Sequence, residues 1–137
     1  MKIGDLALFL VLELLAIVWA ALAFSYLDSK ILAGGLAGGY FVISGLFMIL
    51  RAMRWPDKWK ALSWYSLYVH VFFVSMPMLF SRLLQLDARF EDVVILGIPG
   101  PMFHNISSAV FGALITATLI DLGRCWWARK KVVHQND

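Results

Sequence analysis

A single cysteine, Cys125, in 137 residues excludes an internal disulfide and any cage of several cysteines around a metal. Packing alone must hold this fold. Charge is equally sparse: 15% of residues are charged, whereas soluble domains carry roughly 25%. Repeats and low-complexity tracts are missing too, which excludes solenoids and disordered linkers. The sequence also lacks an HExxH metal motif, a GxSxG elbow, a phosphate-binding loop and a dinucleotide fingerprint, so no catalytic residue, cofactor or metal ligand set is assigned from it.

What remains is apolar. Hydrophobic residues make up 61% of the chain, the mean hydropathy is +0.78, and lipid is the solvent that such a composition demands. Four stretches, 6–27, 31–50, 62–84 and 103–126, are each about as long as the 20 or so helical residues that cross a bilayer. Helices satisfy every backbone donor and acceptor inside lipid, so the fold class follows: an all-α integral membrane protein, a bundle of four transmembrane helices forming one domain.

The net charge of +3 does not point to nucleic acid, because the basic residues sit at the ends of apolar runs rather than in a stripe. Nine of the twelve Lys and Arg residues fall on one side: Lys2, Arg51, Arg54, Lys58, Lys60, Arg124, Arg129, Lys130 and Lys131. That bias places both termini in the cytoplasm, and the expected setting is a bacterial inner (plasma) membrane crossed several times. Trp55, Trp59, Trp64, Trp126 and Trp127 gather on the same side, as an interfacial aromatic belt does. The two signals agree.

Inside the first span stands an acid, Glu13. Its helical neighbours Ala16, Ala20 and Ala23 form a small face of the kind that packs on other helices, so the side chain is expected to point into the bundle. Glu13 lies nine residues after Gly4, and His70 eight after Leu62 on a span running the same way. Both therefore fall roughly 12–14 Å along their helices at 1.5 Å per residue. Counting down the other two spans reaches Ser44 and the segment Thr116 to Thr118. The expected intramembrane polar site is Glu13, His70, Ser44 and Thr116, in which acid and imidazole favour each other's charged forms. The plainer alternative carries more weight: a Glu and a His that only fix which helices meet, with Ser and Thr bonded to their own backbone. On the third span, α-helical spacing puts Ser63, Ser66, His70, Pro77 and Ser81 near one face, and Ser75 and Arg82 on another. Pro77 frees the carbonyl four residues back and is expected to bend the span.

The glycines of "AGGLAGGY" set two GxxxG registers, Gly34 with Gly38 and Gly35 with Gly39, matched on the fourth span by Ser108, Gly112 and Thr116. Such faces let backbones approach closely, either between spans two and four or between copies of the chain. The long loop at 85–105 is acidic, then apolar. Its apolar middle is expected to dip back into the interface or to fold over the bundle mouth, with a turn at Pro99, Gly100 and Pro101. Arg82, Asp87, Glu91, Asp92, His104 and Asn105 make its polar rim, but their spacing is not that of a metal site. Asp121 and Arg124, three apart, read as a helical ion pair.

Three functions are compatible with this reading. The first is movement or gating of a proton, cation or small solute through the bundle at Glu13 and His70. The second is a non-catalytic accessory, assembly or immunity-type subunit. The third is a redox or lipid-modifying subunit. Its partners are the lipid bilayer and either a second copy or a larger membrane protein.

Overall fold

The structure, a computed structural model, describes residues 2–85, 89 and 92–133. Among these residues four helices are long and apolar enough to cross a membrane: α1 (Ile3–Tyr26), α2 (Lys30–Ala52), α3 (Leu62–Leu84) and α4 (Gly100–Val133). A short antiparallel hairpin, β1 (Val94–Ile95) and β2 (Ile98–Pro99), precedes α4.

Local chemistry explains the boundaries. After α1 the chain turns at once, and the Ser29 hydroxyl accepts from the Leu32 N–H at 3.3 Å, capping α2. Met53, Arg54 and Trp55 make a last tightening turn whose N–H groups reach back to Ile49, Arg51 and Ala52, and Pro56 then forbids continuation. The Pro99, Gly100 and Pro101 segment is not a turn of its own. Leu96 and Gly97 turn the chain, both with positive φ of 52° and 81°, while Gly100 and Pro101 already open α4. Two consecutive left-handed residues are what a two-residue hairpin of matching twist needs.

α3 winds in three parts: an α-helix from Leu62 to Val69, a π-helical segment from His70 to Ser75, and an α-helix from Met76 to Leu84. Pro77 has no N–H for the Phe73 carbonyl, and just before it the Met76 N–H reaches five residues back to Val71. The bend expected at Pro77 is a widened turn.

α1 packs on α2 and α4, and α3 packs on those same two helices, so the bundle is a four-cornered ring with α2 and α4 on a diagonal. One core cluster, including Leu6, Phe9, Met48, Trp55, Leu67, Val71 and Leu114, fills the basic end, where α1 and α3 begin and α2 and α4 finish. A second, Val74, Val93, Ile95 and Phe103, pins the hairpin against α3 and α4 at the opposite end. At 34 residues, α4 spans about 51 Å, more than the roughly 30 Å of a hydrocarbon core.

Candidate functional site

Among the described residues four acidic or imidazole side chains are buried between the helices: Asp5, Glu13, His70 and Asp121. They differ in how completely they are satisfied. Asp5, in the first turn of α1, takes Arg51 Nε (3.0 Å) and Nη2 on one oxygen and the Trp55 indole N–H (2.8 Å) on the other. The Trp55 ring in turn stacks on Phe9 with centroids 5.4 Å apart. Asp121, on the inward face of α4, accepts from both the backbone N–H and the hydroxyl of Ser63, each at 2.8 Å. Its second oxygen takes Arg124 Nη1 at 3.2 Å. The ion pair read from the sequence is present, but Asp121 also caps the start of α3, whose own cap position, Ala61, has no side-chain acceptor.

Glu13 is 1% exposed. Its Oε1 accepts from the Thr118 hydroxyl at 2.8 Å, and the same hydroxyl lies 3.0 Å from the Leu114 carbonyl one turn back on α4. The other oxygen, Oε2, is buried with no partner among the described residues. The acid's partner is thus Thr118 and not Thr116, two residues away on the same helix. Thr116 lies on the exposed side of α4 and returns its hydroxyl to the Gly112 carbonyl at 2.9 Å. A shift of two residues turns a helical side chain by about 200°, so depth counting found the layer but could not choose the face. Ser44 is buried and bonds its own backbone, donating to the Tyr40 carbonyl at 2.7 Å.

His70 is 4% exposed and does not bond Glu13. Its Nε2 meets the Ser75 hydroxyl at 3.0 Å, and Nδ1 is buried without a partner among the described residues. The ring is boxed by Phe41 at 5.8 Å and Phe111 at 5.1 Å between centroids. Residues five apart on an α-helix point about 140° away from each other, which is why the sequence puts Ser75 on a different side. The π-helical turn between them brings the pair together. Antiparallel pairing of Ser63 with Asp121 sets Thr118 opposite the region of Ser66, so His70 stands about one turn nearer the hairpin end than the Glu13 layer.

The small faces are divided. A methyl at Gly38 would approach Leu79 Cδ1 of α3 to 3.3 Å, and one at Gly34 would lie 3.9 Å from the Phe24 ring. Gly35 and Gly39 have nothing within 4 Å, nor does Gly112 on α4, where Ser108 is also exposed with its hydroxyl on the His104 carbonyl. The two glycine-matched faces do not meet, because α2 and α4 are diagonal and approach through large side chains, Phe41 against Phe111 at 5.1 Å. Of the polar rim, Arg82 is half-buried on α3, His104 and Asn105 are exposed in the first turns of α4, and Asp92 pairs with Arg89 at 3.2 Å. Asp87 and Glu91 lie outside the described residues. No three of the His, Cys, Asp and Glu residues among those described come together as a metal site would require.

No protein-family model, curated protein or solved structure matches the chain.

Proposed function

We propose that this chain is a small multi-pass membrane protein, with both termini cytoplasmic, that moves or gates a proton, cation or small solute, and that Glu13 is its ionisable centre. The observation that supports this reading is the contrast among the buried groups. Asp5 and Asp121 have partners on both oxygens, whereas Glu13 and His70 each retain one bare polar atom in the apolar interior. A side chain kept only to fasten helices is stabilising when all its bonds are made, and a half-satisfied one costs about 1–3 kcal/mol per orphan. A carboxylate without a counter-charge in low dielectric is costlier still, and an arriving cation or proton cancels that charge.

The test is flux across liposomes containing the purified protein, with Glu13→Gln as the comparison. Glu13→Gln keeps the side chain's shape and is expected to abolish flux while leaving the bundle folded. Equal flux from wild type, Glu13→Gln and protein-free liposomes would refute the reading. A second reading, an accessory subunit, is favoured by one separate feature: Gly35, Gly39, Ser108 and Gly112 present small faces that the bundle leaves uncovered. Gently purified complexes separate the two, because an accessory subunit co-purifies with a larger membrane protein.

A further inference from the structure

Thr118 has one proton to donate and two acceptors within reach, Glu13 Oε1 at 2.8 Å and the Leu114 carbonyl at 3.0 Å. A hydroxyl is both donor and acceptor, so its direction can reverse. When Glu13 is a carboxylate, Thr118 donates to it. When Glu13 carries a proton, the acid O–H donates to Thr118 Oγ1, and the Thr118 proton turns to the Leu114 carbonyl. In the exchange an O–H bond of hydronium breaks, leaving water, as an O–H bond forms at Glu13 Oε1; the Glu13–Thr118 hydrogen bond changes polarity, and the Thr118 proton is given wholly to the Leu114 carbonyl. No electrons move, and neither state strands the hydroxyl.

We infer that the species bound at Glu13 is a proton, and that Thr118 is the positioning residue that lets the same pocket hold the acid in both its charged and neutral forms. This rests on the reading of Glu13 as the ionisable centre and names what it binds. The oxygens in hand are Glu13 Oε1 and Oε2, Thr118 Oγ1 and the Leu114 carbonyl. Hard metal cations gather six or more oxygens, and the helical neighbours Phe9 and Ala16 on the inward face of α1 add no side-chain oxygen. A proton needs one acceptor and one further partner. On the surrounding helices Arg51 of α2 bonds Asp5, Asp121 of α4 bonds Arg124, and His70 of α3, about one turn from the Glu13 layer, meets Ser75 through Nε2 while its Nδ1 has no partner among the described residues; Tyr40 of α2 and Cys125 of α4 stand one and two turns from Ser44 and Thr118.

The experiment compares two gradients on liposomes holding the full chain with a trapped pH-sensitive dye: a pH gradient, and a sodium or potassium gradient at constant pH. Proton flux is expected, lost in Glu13→Gln, lowered about tenfold in Thr118→Val and kept within about twofold in Thr118→Ser, as the loss of one buried hydrogen bond implies. Glu13-dependent sodium or potassium flux without a pH change would overturn the proton assignment while leaving Glu13 as the centre. Proton flux unchanged in Thr118→Val would overturn the role of the hydroxyl. A second measurement needs no change at Thr118. The chain has two glutamates, Glu13 and Glu91, so carboxyl-labelled glutamate gives an infrared spectrum in which Glu13→Gln identifies the Glu13 band. A neutral-acid band that appears reversibly on acidification, and shifts on solvent deuteration, supports proton binding. A carboxylate band that persists at every pH at which the protein stays folded overturns it. Wild type without flux but with the reversible band refutes transport and retains the proton site.

Discussion

Replacing Asp121 with alanine removes the acceptor that caps α3 from outside its own chain segment. The carboxylate is fully buried and holds the Ser63 N–H and hydroxyl at 2.8 Å each. Loss of this cap leaves the buried Ser63 N–H without an acceptor, which costs about 1–3 kcal/mol. The Ser63 hydroxyl can rotate onto a nearby helix carbonyl, so it adds little. Arg124 is about half exposed, and its ion pair contributes about 0–1 kcal/mol after solvent screening. The expected destabilisation for Asp121→Ala is therefore about 1–4 kcal/mol. Asp121→Asn retains an oxygen for the N–H and should cost less than half of that. The assay is reversible unfolding in mixed micelles with increasing dodecyl sulfate, followed by tryptophan fluorescence, since Trp64 is buried beside Ser63. Asp121→Ala within about 0.5 kcal/mol of wild type would refute the cap, as would an Arg124→Ala cost equal to that of Asp121→Ala, which would assign the effect to the ion pair.

The same titration tests two backbone positions. A methyl on Gly45 would overlap Cγ2 of Val71, a side chain too stiff to turn aside, so Gly45→Ala is expected to cost about 1–3 kcal/mol, whereas Gly35→Ala meets open space and should be neutral or stabilising by up to about 1 kcal/mol. Equal effects at the two sites would place the α2–α3 approach elsewhere. Leu96 holds a left-handed backbone at φ 52°, and Leu96→Asn, which adopts that conformation readily, is expected to stabilise by about 1 kcal/mol; a loss would argue that the exposed leucine makes a contact of its own. Pro77→Ala returns an N–H to the Phe73 carbonyl and is expected to shorten the π-helical segment, separating Ser75 from His70. Ring nitrogen chemical shifts of His70 identical in wild type and variant would show that the proline does not maintain that turn.

The architecture was legible because it follows from sums over many residues. Four apolar stretches of sufficient length appear as four helices, with ends displaced by a few residues where flanking turns such as Ile3–Asp5 and Gly100–Met102 remain helical. The site was legible only in depth. Counting rises reached the segment Thr116 to Thr118 at the level of Glu13 but put His70 in that layer when it stands about one turn nearer the hairpin, and the choice of Thr118 over Thr116 depends on which face of α4 meets α1, to which one residue contributes 100°. Ser75 was unreadable for another reason, because its bond to His70 exists only in a turn wider than the one from which sequence faces are drawn. Asp121 could have been suspected. "LSWY" opens a helix without a capping side chain of its own, and an acid near the matching end of an antiparallel neighbour is the signal for a cap supplied from elsewhere.

The placement of these bonds sets what a change at Glu13 can reach. Asp5 with Arg51 fastens α1 to α2, and Asp121 with Ser63 fastens α3 to α4, both at the basic end. Each clamp lies within a pair of antiparallel neighbours. The bond from Thr118 to Glu13 instead joins α4 to α1, and the ring of His70 on α3 rests against Phe41 of α2. Glu13 therefore stands on the seam between α1 and α4, while His70 rests both on Phe41 across the other seam and on Phe111 within its own clamped pair. Neutralising Glu13 is therefore expected to alter the hydrogen bond between α4 and α1 while both clamps remain made. A bundle fastened instead across its seams at the basic end would resist such a change, and unfolding would be the easier response.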